Sequence, residues 1–192
     1  MVEQPLFQVE DGGSNPTSPL QLFCRPVNKL TAKNFYKKWH YLGDQGFLST
    51  VNYGAYFDGY IVGVITFAGV SAVETIKGIF GTSEQKGFWE IKRLAMTDGC
   101  PKNSESRFIA VSIRLLRKAY LTKAIITYAD TAQGHEGTIY KASGFKYLGL
   151  TDEKKDFVVN GKIQQRGKTK GVKGEWVDRS RKHKFVKEWR ND

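Results

Sequence analysis

An Asp-Gly pair at 58–59 lies between two runs rich in β-branched and aromatic residues, "STVNYGAYF" before it and "YIVGVITFAGV" after it. A two-residue hairpin turn of the primed type needs positive φ at both central positions, which Asp-Gly tolerates, and its twist matches that of two antiparallel strands. The pattern commits the middle of the chain to a hairpin. Every other element then has to be laid against, or added to, the sheet that begins there.

The flanking segments read in the same way. "LQLFC" (20–24) is a short first strand that Pro26 ends. "LTAKNFYKKWHYLG" is predicted as a helix with Thr31 as its cap and Leu30 and Phe35 at the two positions of a hydrophobic staple. Phe35, Trp39 and Leu42 share one face, Tyr36 and His40 lie one turn apart beside it, and Gly43 is the stop. "GFWEIKRLAMT" (87–97) is a further strand. "PKNSESRFIAVSIRLLRKAY" is a helix of about four turns opened by Asn103 or Ser104. Its predicted buried stripe is Phe108, Val111, Ser112, Leu115 and Ala119, with Arg107, Arg114 and Lys118 opposite. "KAIITYAD" is a strand, "GTIYKAS" a short helix closed by Gly144, and "FKYLGL" a strand. Residues 151–181 are polar and Gly- and Lys-rich, so loops are expected there, with a hairpin at Asn160-Gly161. "KHKFVKEW" alternates like an edge strand. The order β-α-β-β-β-α-β-α-β places the chain in the α+β class, a sheet layered by helices.

At 192 residues the chain is expected to be one domain over 20–192, with a basic insertion at 151–181 and a loose Gly-, Pro- and Ser-rich arm at 1–19. No apolar run is long enough to span a bilayer, and the N-terminus lacks the basic and apolar regions of a signal peptide. Cys24 and Cys100 are too few for a disulfide framework and lack metal-ligand spacing, which fits two buried thiols in a reducing cytoplasm. Lys and Arg number 30 against 19 Asp and Glu, a net charge of +11. Residues 151–192 hold 13 of those bases and 7 of those acids, so more than half of the excess sits in the last 42 residues. Such a surface favours a polyanionic partner, with nucleic acid the first candidate.

Three stretches are placed to carry chemistry. In "RLAMTDGCPKNSESR" a strand meets a helix start, where free amides bind phosphates, and Lys102 and Arg107 add charge. A pyrophosphate-bearing donor such as a coenzyme A thioester fits there, as does an ordinary capped helix with no ligand. In "YADTAQGHEGTIY", Asp130 stands just past the carboxyl end of a strand, a favoured place for chemistry in open sheets. Burial beside that strand is expected to raise its pKa and make it a proton acceptor near neutral pH. His135 is an alternative base, and Tyr140, exposed in appearance, is a proton donor or acceptor at a leaving group. An Asx turn that caps the next helix is the competing use of Asp130. In "WHYLG", His40 and Tyr41 end a helix, and Trp39, Tyr36 and Tyr41 serve either as a stacking surface for a base or as core. His40, Asp130 and His135 form a conceivable metal set without any supporting spacing, and neither a Gly-x-Gly-x-x-Gly nor a P-loop is present.

Together "KKWHYLG", "RLAMTDGCPKNSESRFIAVSIRLL" and "ITYADTAQGHEGTIYKASGFKYLG", with the closing "KHKFV", resemble the Mom family of phage DNA-modification proteins. The resemblance covers roughly residues 30–150 and implies a GNAT-like acyltransferase fold, a mixed, mostly antiparallel sheet layered by helices. It implies conversion of adenine in phage DNA to N6-(methylcarbamoyl)adenine, which protects that DNA from host restriction, in the cytoplasm of the infected bacterium. The implied partners are double-stranded DNA and a small-molecule acyl donor, with no membrane. Carried over by motif, the functional positions are His40, Tyr41, Arg93, Ser106, Asp130 and Tyr140, with Tyr56 of the hairpin as a looser match. The loop "DGCPKNSES" lacks the glycine pair of the usual GNAT pyrophosphate loop. The implied donor is therefore either acetyl-CoA or another compound, held by Lys102, Asn103, Ser104 and Ser106. Iron is a further cofactor that the resemblance brings in. Arg107, Arg114 and Lys118 are expected to hold the DNA backbone. An acetyltransferase acting on a protein or small amine, and a non-catalytic DNA-binding protein, are the rival readings.

Overall fold

The computed structural model describes residues 22–164 and 171–189. In chain order the elements are β1 (Phe23–Pro26), α1 (Lys29–Trp39), β2 (Val51–Phe57), β3 (Tyr60–Gly69), α2 (Val73–Phe80), β4 (Phe88–Met96), α3 (Ser104–Ala119), β5 (Ala124–Asp130), α4 (Thr138–Ala142), β6 (Lys146–Leu150), β7 (Lys155–Val159), β8 (Lys162–Ile163), β9 (Glu175–Asp178) and β10 (Lys182–Glu188). They fall into two compact units, the first from residues up to Gly69 plus Ile91–Leu121, the second from Val70–Glu90 plus Thr122 onward. The expected arm at 1–19 lies outside the described residues.

The hairpin is the framework of the first unit. β2 and β3 pair antiparallel across a turn in which Asp58 has φ 47° and Gly59 φ 84°, both in the left-handed region that this turn demands. A register shift between Ala55 and Tyr56 bulges the partner strand near its start. β1 adds to β2 antiparallel, with Pro26 as its last residue opposite Tyr53, and the strand order is β1-β2-β3-β4. α1 buries Ala32, Phe35 and Tyr36 against Val64 and Ala95. Its cap is Asn28, whose side chain accepts from the Thr31 amide at 2.8 Å, so Thr31 supplies the capped amide and is not the cap. With Asn28 as cap, the staple position before it belongs to Val27, which packs on the Ala32 cluster, while Leu30 is 66% exposed. The helix stops at Trp39, earlier than Gly43, and Leu42 is exposed.

α3 follows β4 and has Asn103 at its cap position with φ 68°, but no side chain caps its first turn. Its buried stripe is Ser104, Phe108, Ile109, Ser112, Ile113 and Leu116. This corrects the expected stripe: Val111 and Leu115 are only half-buried and Ala119 is exposed.

The second unit has the strand order β4-β5-β10-β6. Phe88–Glu90 of β4 run parallel to Ala124–Ile126 of β5, while β10 is antiparallel to both β5 and β6. The terminal strand is thus interior and paired on both sides, not an edge. α2, to which the sequence reading assigned no element, places Ile76 in a core with Val70, Phe88, Ala124, Ile126 and Val186. The Asn160-Gly161 hairpin is present, Asn160 at φ 49° and Gly161 at φ 72°, and with β9 it makes a separate three-stranded sheet of order β8-β7-β9. Largely antiparallel strands with four helices make the fold α+β, as the sequence implies.

Candidate functional site

In the first unit the sequence-predicted residues His40, Tyr41 and Arg93 come together around one turn. His40 ends α1, its backbone N–H donating to the Tyr36 carbonyl at 3.0 Å. Its Nδ1 accepts from the Leu42 amide at 3.1 Å, so the neutral ring carries its proton on Nε2. The imidazole stands edge-on to Tyr36, centroids 5.6 Å apart, and stacks on Tyr41 at 4.6 Å with 23° between planes. The aromatics of this segment therefore divide: Tyr36 is core and Trp39 packs beside it, whereas Tyr41 is 47% exposed.

Arg93 enters from β4. It is buried, and its two terminal nitrogens donate to the carbonyls of Gly43 and Gln45. The guanidinium also lies over the rings of Tyr36 and Phe47, at 5.8 and 5.5 Å. Burial lowers its pKa, opposed by Tyr36, Tyr41 and Asp44. Beneath it, Tyr36 Oη donates to the Arg93 carbonyl at 3.2 Å and lies 2.9 Å from Thr66 Oγ1, which in turn donates to Asn52 Oδ1 at 2.7 Å. The Gly43 and Gln45 carbonyls are members of this cluster to which the sequence did not point, and Tyr36, expected either in a stacking surface or in the core, is core. The signal for Tyr36 was its one-turn spacing from His40.

At the start of α3, Ser104 is buried and Lys102 and Asn103 are exposed. The Ser106 hydroxyl donates to the Asn103 carbonyl at 3.1 Å. Its proton is thereby engaged by the backbone, and the backbone amides and the exposed Lys102, Asn103 and Arg107 are the donors this turn presents. A first turn without a side-chain cap suits phosphate oxygens. Arg107, Arg114 and Lys118 are all exposed along this helix. Tyr56, the looser match, lies on β2 with the Arg25 guanidinium 4.0 Å over its ring.

In the second unit, Asp130 closes β5 and caps the 3-10 turn Thr131–Gln133, its Oδ1 accepting from the Ala132 amide at 3.0 Å. The Asx-turn use of this residue is therefore real. Lys182 on β10 stands directly opposite, its Nζ 3.3 Å from Asp130 Oδ2. Burial pushes the carboxyl up, but a hydrogen bond from Ser180, the Ala132 amide and the Lys182 ammonium together hold it below the usual carboxylate range. The expectation of a raised pKa is corrected: burial is present as anticipated, and the strand opposite outweighs it. Lys182 and Ser180 come from residues 50 or more positions later, which no local pattern could connect to Asp130.

Tyr140 is also corrected. It is 8% exposed, with its ring against Phe145 and Phe185 at 5.8 and 5.6 Å. His135 is exposed, and its amide donates to the Asp130 carbonyl at 3.3 Å. Among the described residues no group of three or more His, Cys, Asp or Glu is placed to hold a metal, so the residues present do not fit iron. Cys24 and Cys100 are free and half-buried, near Ser112 Oγ and Thr97 Oγ1.

A family model described as the Mom protein family matches residues 21–191. Over 102 residues the chain is 26% identical to the protein named methylcarbamoylase mom of Escherichia phage Mu; the match takes in 53% of this chain and 42% of that protein. The chain thus aligns with less than half the length of this relative. Among solved structures it is similar to an IAA acetyltransferase from Bacillus cereus, with a TM-score of 0.53 and 9% identity over 88% of this chain and 100% of the other. A GNAT family acetyltransferase from Elizabethkingia anophelis with acetyl-CoA bound gives 0.52 and 15% over 88% and 98%. At such identities the likeness is one of fold alone, a GNAT-like fold.

Proposed function

The chain belongs to the Mom protein family, and from that premise we propose that it is a transferase that places a methylcarbamoyl group on the N6 amine of adenine in phage DNA, shielding that DNA from restriction in the host cytoplasm. The observation that carries the reading is the family match over 21–191, joined to an acyltransferase fold. The adenine N6 lone pair is delocalised into the ring, so transfer needs a held base, a proton acceptor and a stabilised acyl oxygen.

The residues take roles that their surroundings allow. Asp130, held ionised, accepts the N6 proton. A weak base suffices if the proton leaves after attack, when the nitrogen of the tetrahedral adduct has become strongly acidic. The N6–carbon bond forms, the bond from that carbon to the donor's leaving group breaks, and the N6 proton passes to the carboxylate. The leaving group takes its proton from solvent, and Tyr140, whose ring is closed in by Phe145 and Phe185, has no part in that transfer. Within the first unit, His40, with its Nε2–H, and the exposed Tyr41 present a hydrogen-bond donor and a ring face suited to a nucleobase. Arg93 keeps their turn in shape. Lys102, Asn103, Ser104 and the Ser106 backbone hold the donor's anionic part; the group delivered is CH3NH–CO–, so the donor is a methylcarbamoyl thioester or phosphate, and acetyl-CoA, which would leave an acetyl group, fits only the rival acetyltransferase reading. Arg107, Arg114 and Lys118 contact the DNA backbone.

Mass spectrometry of nucleosides from plasmid DNA co-expressed with the protein tests this. A deoxyadenosine adduct of methylcarbamoyl mass is expected with the wild type and lost with Asp130→Asn. Unmodified adenine with the wild type, or full modification by Asp130→Asn, would overturn the reading or the base assignment respectively. The fold neighbours are acetyltransferases, so acetylation of a peptide or small amine with DNA left untouched is the outcome that would favour the second reading.

A further inference from the structure

The segment between β6 and β10 leaves and returns beside Asp130. The Thr151 amide donates to the Lys182 carbonyl at 2.8 Å, and the Lys182 amide donates back to Thr151 Oγ1 at 3.0 Å. The Arg181 guanidinium donates to the Thr151 carbonyl at 2.7 Å and reaches Glu153 at 3.5 Å. Its own carbonyl takes the Thr131 amide at 3.2 Å and the Thr131 hydroxyl at 2.7 Å. Residues 180–182 are thereby fixed against both the base of the basic segment and the turn that follows Asp130.

That fixed tripeptide aims the Lys182 side chain at the Asp130 carboxylate. A carboxylate accepts at about four lone-pair sites. At Asp130 the Ala132 amide donates to Oδ1 at 3.0 Å and the Lys182 ammonium stands 3.3 Å from Oδ2, so both carboxylate oxygens are engaged. We propose that Lys182 is a positioning residue, which with the Ala132 amide holds the Asp130 carboxylate in one orientation and leaves its remaining lone pairs for an N–H of the substrate. Arg181 is committed to Thr151 and Glu153, and the His135 amide donates to the Asp130 carbonyl. Lys184 stands opposite Tyr128, two residues back.

The sign of the consequence is fixed. A carboxyl held below its ordinary value is ionised in the folded protein at a pH where it would otherwise be partly protonated, so removing the Lys182 charge raises its titration midpoint. The catalytic part of this inference rests on the proposed role of Asp130, and the test separates the two. In the full-length protein labelled with 13C at aspartate carboxyls, the Asp130 resonance, assigned by its loss in Asp130→Asn, is followed against pH. The midpoint should move up in Lys182→Met and stay near wild type in Lys182→Arg. Lys182 is 38% exposed, so its truncation should leave the fold intact, and circular dichroism checks this. In the modification assay the acid limb of the pH profile should move up in Lys182→Met and be restored by Lys182→Arg. An unmoved midpoint in Lys182→Met overturns the positioning role whether or not DNA is modified. A raised midpoint with a wild type that never modifies adenine upholds the positioning and removes the proposed function.

Discussion

Arg93 carries the motif likeness of a functional arginine and the surroundings of a clamp. Its planar fork is buried over two rings and spent on two carbonyls of the turn that follows His40. A lysine keeps the charge but presents a point ammonium that cannot bond both carbonyls in the same planar geometry. Arg93→Lys should therefore cost about 1.5–3 kcal/mol in folding stability, the range for hydrogen bonds to a charged group, measurable as a lowered urea midpoint at unchanged slope. Cleavage by protease within 41–46 should quicken in parallel. If the variant lost modification with stability and proteolysis unchanged, Arg93 would be a direct contact and not a support. Asp130 teaches the same lesson in reverse. Its position after a strand was legible, but its proton affinity depends on Lys182 and Ser180, which only strand pairing brings to it.

At the scale of elements, the cap of α1 separates two readings of one sequence. Asn28→Ala should lower stability by about 0.5–2 kcal/mol, the usual loss for an N-cap side chain, while Thr31→Ala, whose amide remains capped, should cost distinctly less. Thermal melts of the two variants decide it, and equal losses would put the cap back at Thr31. Elements whose signals are local were legible: the Asp58-Gly59 hairpin, β4, β5, α3 and the Asn160-Gly161 turn. α2 was not, because "VETIKGIF" mixes β-branched residues with a glycine and starts without a side-chain cap. The stripe of α3 turned because its apolar arc is broad, taking in Ile109, Ile113 and Leu116 as well as Val111, Leu115 and Ala119, so periodicity alone cannot say which part of the arc is buried. β10 alternates in a way that an edge and an interior strand share, and the choice between them belongs to topology. Tyr140 looked exposed because Phe185, which covers it, lies 45 positions away. Gly137 marks the same packing. At φ 72° with the Phe185 ring 2.3 Å from where a Cβ would stand, no side chain fits at the entrance of α4.

For the molecule as a whole, the charge makes a claim that no single contact makes. A chain with 30 basic and 19 acidic residues and a pI near 9.6 approaches a polyanion through long-range attraction, and binding releases the ions condensed on that polyanion. Because the proposed substrate is DNA, the salt dependence of duplex binding measures how many phosphates the protein meets. Each neutralised phosphate adds about 0.9 to the slope of log affinity against log salt, so six or more contacts would weaken binding about a thousandfold between roughly 50 and 200 mM salt. Arg107, Arg114 and Lys118 are exposed on α3, and their replacement by glutamine should lower that slope by about three while weakening binding alike on duplexes of different sequence. Fluorescence anisotropy with a labelled duplex, repeated across salt concentrations for both proteins, provides the comparison. A slope near zero in the wild type would mean that the basic excess serves something other than DNA. A steep slope left unchanged in the triple variant would mean that the phosphates are met elsewhere, with the 13 bases of residues 151–192 as the next set to replace.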